Sequence, residues 1–291
     1  MLKPIIVAVG LLTGVACAAE PVALRVLTYN LRYINPGDTG DRAWTARRDF
    51  VGAMVVSDHP DIIGVQEAFR PMLDDLAQRA PGYVEIGGGR EDGLAKGEYS
   101  AILVKADRFT VQASGTFWLS DNPETVGSST WGNEVVRICT WAKLYDRRSR
   151  QAFHYFNTHL DHRTPLARQK GTELILARMA AMGAGGPFVL TGDMNATPDD
   201  SLHALIQAEP NNLVDVWATL HPSAAPGESG TAHGFTGKTD SGRIDYIYAS
   251  KSFGLVDSEI LHDHRSGIYP SDHFPVRATL TFPAIETRTS P

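Results

Sequence analysis

Phe188-Val-Leu-Thr-Gly-Asp-Met-Asn195 is the stretch on which the fold turns. Its apolar half predicts a short buried strand over Phe188–Leu190. Its polar half sets an acid, Asp193, and an amide, Asn195, just past the strand end, where functional groups collect. In extended chain a spacing of two puts both side chains on one face; an Asx turn opening a loop is the other reading. Gly192 allows close backbone approach. One acid after one strand says little, but the design recurs along the chain. LRVLTYN ends at Asn30, IIGVQE at Glu67, and FHYFNTHLD carries His159 and Asp161. RIDYIYA holds Asp245, and SDHFPV holds Asp272 and His273. Together these residues describe a site that holds a divalent metal and attacks a phosphate.

Each station has its chemistry. Glu67 suits a hard cation such as Mg²⁺ or Mn²⁺, which takes oxygen ligands and often only one or two carboxylates. Asn30 beside it would join that metal site, orienting Glu67 or the phosphate. His159 can donate to a non-bridging phosphate oxygen and gains most as charge builds in the transition state. Asp193 can take a proton from water or hold metal, and the Asn195 amide can donate to phosphate. His273, fixed by a carboxylate, is a general base or a charge-stabilising cation. Asp245 points out of an otherwise apolar strand; a structural ion pair with Arg243 is its bland alternative. Arg163 and Arg168 are phosphate clamps or surface charges of the next helix. The remaining histidines have no metal-ligand spacing with cysteines. There is no Gly-x-Ser-x-Gly elbow, Walker loop or dinucleotide fingerprint.

Around these stations the chain reads as α/β. Strands are predicted at Leu24–Tyr29, Ile62–Val65, Ala101–Val104, Val135–Leu144, Phe153–Thr158, Phe188–Leu190, Ile244–Tyr248 and Val276–Leu280. Helices are predicted at Arg42–Val56 and Pro165–Met182. Long Gly-, Ser- and Thr-rich loops at 85–98, 120–134 and 220–242 all end at strands carrying motifs. No linker separates the stations, so 20–282 reads as one domain, followed by a flexible tail over 283–291. The chain has 291 residues, 43% apolar and 21% charged, with ample material for a core. Residues 1–19 read as a secretory signal: Lys3, the apolar Ile5–Val15 run and Ala16-Cys17-Ala18. A lipid anchor at Cys17 is the alternative, weakened by Gly14. Cleavage would leave Cys139 alone, too few cysteines for an internal disulfide; within VVRICTWAKL it reads as a buried, inert thiol. No other segment is apolar enough to span a membrane.

With these motifs laid out, the chain resembles the endonuclease/exonuclease/phosphatase superfamily from about Leu24 to Leu280. The resemblance implies a DNase I-like, four-layer α/β sandwich: two packed mixed β-sheets flanked by helices, with the site at one rim. It implies Glu67 as the Mg²⁺ ligand with Asn30 beside it, and His159 on the scissile phosphate. Asp193 would activate water, Asn195 orient phosphate, and Asp272 orient His273, with Asp245 the acid of the RID-type strand. THLDH departs from abasic-site nucleases and is closer to the phosphatase, sphingomyelinase and deadenylase branches. VVRICTWAKL, GEYSAILV and GTAHGFTG resemble secreted bacterial members, which makes Arg137, Glu98, His233 and Phe235 candidate substrate-shell residues, beside Arg163.

The reading is therefore a secreted or periplasmic, metal-dependent phosphoesterase, expected to be monomeric, that attacks by in-line water. Formal charge is −6 and the sequence pI about 5.9. Polynucleotide binders commonly carry a basic face, so a small molecule, lipid headgroup or nucleotide is favoured over nucleic acid. A nuclease acting on DNA or RNA is the alternative, and a non-catalytic binding module a remote one.

Overall fold

The computed structural model describes residues 21–283 except 184, 185, 209 and 226. The predicted signal and nearly all of the predicted tail lie outside the described residues. In chain order the elements are β1 (Ala23–Asn30), α1 (Trp44–Asp58), β2 (Ile62–Ala68), α2 (Arg70–Arg79), β3 (Tyr83–Ile86) and β4 (Tyr99–Lys105). Then come β5 (Phe109–Trp118), β6 (Ile138–Asp146), β7 (Gln151–His159), α3 (Pro165–Ala181), β8 (Phe188–Asp193) and α4 (Leu202–Gln207). The last are β9 (Leu213–Asp215), α5 (Val216–Leu220), β10 (Asp245–Ser250), β11 (Gly254–Ile260) and β12 (Val276–Thr281).

The strands form two six-stranded sheets, β11-β12-β1-β2-β4-β3 and β5-β6-β7-β8-β10-β9. Each has one parallel pair at its centre, β1 with β2 and β7 with β8. Every other pairing is antiparallel. Alternation along each strand sorts its side chains into layers. Val26, Ile62, Tyr155, Val189 and Ile247 pack between the sheets. Leu27, Val65, Val51 and Leu73 join the first sheet to α1 and α2. Phe156, Leu190, Ile175 and Ile206 join the second to α3 and α4. This is the four-layer DNase I-like sandwich.

The layer between the sheets changes character along its length. β1 runs inward-facing from Val26 through Thr28 to Asn30, β7 from Tyr155 through Asn157 to His159, and β8 from Val189 through Thr191 to Asp193. Gln66 donates to Thr28 Oγ1 at 3.0 Å and to Asn157 Oδ1 at 2.7 Å. Asn157 donates to the carbonyls of Val65 and Ala101, each at 2.9 Å. Thr191 Oγ1 bonds Tyr155 Oη at 3.0 Å. The sheets close on Gly64, where an added Cβ would lie 2.4 Å from Thr191 Oγ1 and 2.6 Å from Asn157 Oδ1. A hydrogen-bonded polar floor thus separates the apolar core from one rim.

Several sequence expectations shift. The strand predicted from Val135 begins at Ile138, which leaves Arg137 outside the ladder. The helix predicted from Arg42 begins at Trp44, because Ala43 is extended at ψ 141°. Ile86 belongs to β3 rather than to the 85–98 loop.

Candidate active site

The rim where the two parallel pairs end holds the stations together. Asn30 ends β1, His159 ends β7 and Asp193 ends β8. Glu67 arrives by a different device. Between Val65 and Ala68 the register with β4 slips, and Glu67 sits at φ 58°. This bulge redirects a side chain that strict alternation would send to the helix side. Glu67 Oε1 accepts from Asn30 Nδ2 at 3.0 Å and Oε2 from the Tyr33 amide at 3.0 Å. The same Asn30 Nδ2 donates to Asp193 Oδ2 at 2.9 Å. Asn30 Oδ1 accepts the Arg32 amide at 2.9 Å, so Asn30 bridges the two carboxylates with N–H groups and its oxygen is already engaged.

Asp193 is the centre of the cluster. Its Oδ2 stands 3.5 Å from His159 Nε2 and 3.9 Å from His273 Nδ1. Burial, and then the charge of Asp245, lift its pKa from 3.8 to about 7. Gly192 brings it in close: a Cβ there would lie 2.2 Å from the Thr158 carbonyl oxygen. The chain does not stay extended to Asn195, which corrects the one-face expectation. Asn195 has φ 47°, its amide donates to Asp193 Oδ1 at 2.9 Å, and its Nδ2 donates to the Leu160 carbonyl at 3.0 Å. The Asx turn is realised, and it holds the central carboxylate.

His273 is oriented by Asp245, not by its neighbour Asp272: Nδ1 bonds Asp245 Oδ2 at 2.8 Å. Burial opposes charge on His273, but Asp245, Asp193 and Asp272 together raise its pKa well above the usual range. Asp272 instead faces Arg32 at 3.4 Å, and burial raises its pKa. Arg243 does not pair with Asp245; it forks onto Asp215 at 3.1 and 2.6 Å. Burial, followed by Arg137, holds the His159 pKa well below its usual value. The two histidines of the site are thus pushed in opposite directions, His273 toward the cation and His159 toward the neutral ring.

The outer candidates divide. Arg137 is buried beside His159 and shares a cleft with it. His233 stacks on Phe274 at 3.9 Å between centroids and donates its amide to the Asp272 carbonyl at 2.8 Å. Burial, then His273, lowers its pKa to about 4. Phe235 lies under the guanidinium groups of Arg42 and Arg47, each 5.5 Å from its ring centroid. Arg163 is not gathered in: it is exposed and pairs with Glu134 at 2.9 Å. Arg168 donates to the Asp161 carbonyl at 3.0 Å. Cys139 is fully buried and its thiol pKa is pushed up by burial.

The residues present fit a divalent cation. Glu67, His159 and Asp193 offer ligand atoms all within 4.8 Å of one another, as do Asp193, Asp245 and His273. Among the described residues, Asp245 Oδ1 and His159 Nδ1 are buried without a partner, where such atoms are normally satisfied. Among the described residues no helix is long and apolar enough to cross a membrane.

Comparison with known proteins agrees with this fold. The Endonuclease/Exonuclease/phosphatase family model matches residues 27–273. An endonuclease/exonuclease/phosphatase family structure from Bacteroides thetaiotaomicron superposes with TM-score 0.82 at 34% identity, over 90% of this chain and 99% of that one. The mannosyl-6-phosphatase Bt3783 of the same organism gives TM-score 0.80 at 34% identity, over 89% of this chain and 100% of that one. The uncharacterized protein R895 of Acanthamoeba polyphaga mimivirus is 25% identical over 167 residues, 45% of this chain but only 24% of that protein. The chain belongs to the endonuclease/exonuclease/phosphatase family and is a metal-dependent phosphoester hydrolase.

Proposed function

We propose that this chain is an exported Mg²⁺- or Mn²⁺-dependent hydrolase of small phosphorylated molecules. One observation carries the chemistry: a buried carboxylate, Asp193, whose Oδ2 stands 3.5 Å from His159 Nε2 and 3.9 Å from His273 Nδ1, with its pKa raised by burial to about 7. A general base works best when its pKa lies near the operating pH. In this reading Asp193 takes the proton of the attacking water, held in place by Asn30 and by the Asn195 amide. His273, kept cationic by Asp245, donates to a phosphate oxygen as charge develops there. His159, uncharged, offers a ring N–H to a second oxygen without adding a repelling cation. Glu67, with Asp193 in reach, would hold the divalent cation, which would supply Lewis-acid neutralisation of the phosphate. Asn30 positions the carboxylates, and Asp272 positions the loop of His273 through its own contact with Arg32.

The acidic overall charge of −6 supports a small substrate over a polynucleotide. So does the 34% identity to a mannosyl-6-phosphatase across 89% of the chain. In this reading His233, whose amide bonds the Asp272 carbonyl, and Phe235, two residues further on, are candidates to meet the leaving group. Export rests on Lys3, the Ile5–Val15 run and Ala16-Cys17-Ala18. The deciding experiment is turnover of p-nitrophenyl phosphate and bis-p-nitrophenyl phosphate, with EDTA and then with Mg²⁺ or Mn²⁺ added back. Full turnover in EDTA, or none of either ester with metal, overturns the reading. Cleavage of single-stranded nucleic acid far in excess of both esters would replace it with a nuclease.

A further inference from the structure

Arg137 lies just before β6, beside the end of β7, and is only 5% exposed. Its Nη2 meets the ring Nδ1 of His162 at 3.1 Å. Its Nε and Nη1 are buried with no partner. Asp161 Oδ2 stands off at 3.9 Å from Nε, while Asp161 Oδ1 receives the amides of Arg163 and Thr164. Among the described residues, Arg137 therefore has no carboxylate at hydrogen-bond distance. A buried guanidinium with two of its nitrogens unsatisfied is strongly unfavourable. The neighbouring Arg90 deepens the imbalance. Its carbonyl accepts Trp118 Nε1–H at 2.7 Å, and its guanidinium is clamped by Glu98 at 2.8 Å through both nitrogens. Glu98 is thereby spent on Arg90. Burial, then Arg90, disfavours the charge on Arg137.

These groups line one narrow cleft with Tyr99, Ser100 and His159, and it has room for about one water-sized group. His159 reaches from that cleft to Asp193, so the cleft adjoins the reacting centre. The geometry points to a subsite in which Arg137, backed by Arg90, receives the third non-bridging oxygen of a terminal phosphate, so that the enzyme selects phosphomonoesters over diesters. This rests on the phosphoesterase reading above. A monoester dianion brings a second negative charge and a bare oxygen to that position, and a planar guanidinium fork matches it. A diester brings an alkoxy carbon there, with less charge and more bulk than the cleft admits.

The test uses wild type, Arg137→Met and Arg137→Lys in two measurements. The first is inorganic phosphate titrated in EDTA and read as a melting shift. The second is the ratio of kcat/KM for p-nitrophenyl phosphate to that for bis-p-nitrophenyl phosphate, with metal. We expect wild type to prefer the monoester and to be stabilised by phosphate. Arg137→Met should lower the ratio by about 10²-fold, the size of one lost charge-stabilising donor, and abolish the phosphate shift. In phosphate-free buffer it should melt no lower than wild type, since it relieves a buried charge whose Nε and Nη1 are unsatisfied among the described residues. Arg137→Lys keeps the charge without the fork and should fall between; it carries the same readings if the Met variant does not fold. Unchanged ratio, unchanged phosphate shift, or a wild type that prefers the diester overturns the subsite. If wild type hydrolyses neither ester, the hydrolase reading fails, while the phosphate titration still decides the subsite.

Discussion

Asp193→Asn should make the metal-free protein more stable at pH 8 while removing its activity. In the folded chain the carboxyl holds its proton up to about pH 7, against an ordinary 3.8. An acid whose folded pKa is raised binds more protons when folded than when unfolded. Stability therefore falls as pH climbs from about 4 to about 7 and stays low above that. The full penalty is about 4 kcal/mol, each tenfold in proton affinity being about 1.4 kcal/mol. Asparagine removes that charge. It also turns an N–H group toward Asn30 Nδ2, which now donates to Asp193 at 2.9 Å; one lost charge-assisted hydrogen bond costs about 1–3 kcal/mol. The net gain at pH 8 is on the order of 1–3 kcal/mol.

The assay is urea unfolding of wild type and variant in EDTA at several pH values between 4 and 8. The variant should match or trail wild type at pH 4, where Asp193 is largely protonated in the fold, and lead it at pH 8. Adding Mg²⁺ should narrow or reverse the lead, because a cation beside Glu67 and Asp193 relieves wild type alone. A stability difference that does not change with pH, or a variant weaker than wild type at pH 8, would refute the electrostatic account of this site.

Three further outcomes follow from the same geometry. His273→Ala should cost about 10²–10³ in turnover, and the Asp193→Asn/His273→Ala double variant should lose little more than the worse single, because groups acting as one unit are non-additive; simple multiplication of the two losses at saturating metal would show that they act separately. Glu67→Gln should raise the Mg²⁺ needed for half-maximal activity by at least about tenfold, since outer partners of a metal alone are worth that much; an unchanged metal titration would remove Glu67 from the ligand set. Gly64→Ala should destabilise by about 1–3 kcal/mol through overpacking, because its Cβ would meet Thr191 Oγ1 at 2.4 Å; a melt equal to wild type would mean that the sheets can part there at no cost.

What could be read from the sequence and what could not divide along a physical line. The strands that carry the stations are buried on both faces, so β1, β2, β7 and β8 announce themselves as apolar runs ending in a functional residue. The strands that went unread, β3, β5, β9 and β11, lie toward or at the sheet edges. β5, FTVQASGTFW, is exposed or half-exposed over most of its length, so no apolar run marks it. The placement of Glu67 depends on a slip against β4, more than thirty residues away, and nothing in IIGVQE encodes it locally. Asp272 looks like the partner of His273 because it adjoins it, yet adjacent residues on extended chain point apart. The actual partner, Asp245, comes from β10, antiparallel to β8 with Asp245 opposite Asp193. Gln66, Asn157 and Thr191 carry no catalytic signature and were invisible until the two sheets met.

The topology also explains why the site lies at this rim. The order β11-β12-β1-β2-β4-β3 repeats, strand for strand and direction for direction, as β5-β6-β7-β8-β10-β9. Under that correspondence β1 matches β7 and β2 matches β8, so Asn30 has the place of His159, and Glu67, one residue before the end of β2, nearly that of Asp193. In both sheets the central parallel pair is joined by a helix on the outer face, α1 in one and α3 in the other, which keeps the inner faces free to pack on each other. A parallel pair brings two strand ends to the same edge, and two such pairs face to face bring four. The polar floor then sets the depth at which those four ends meet. The two halves differ in what they contribute: the first an amide and a carboxylate, the second an imidazole and a carboxylate. A cation requires the carboxylates to stand together, and the Asn30 amide, donating to Glu67 at 3.0 Å and to Asp193 at 2.9 Å, is what lets them do so before it arrives.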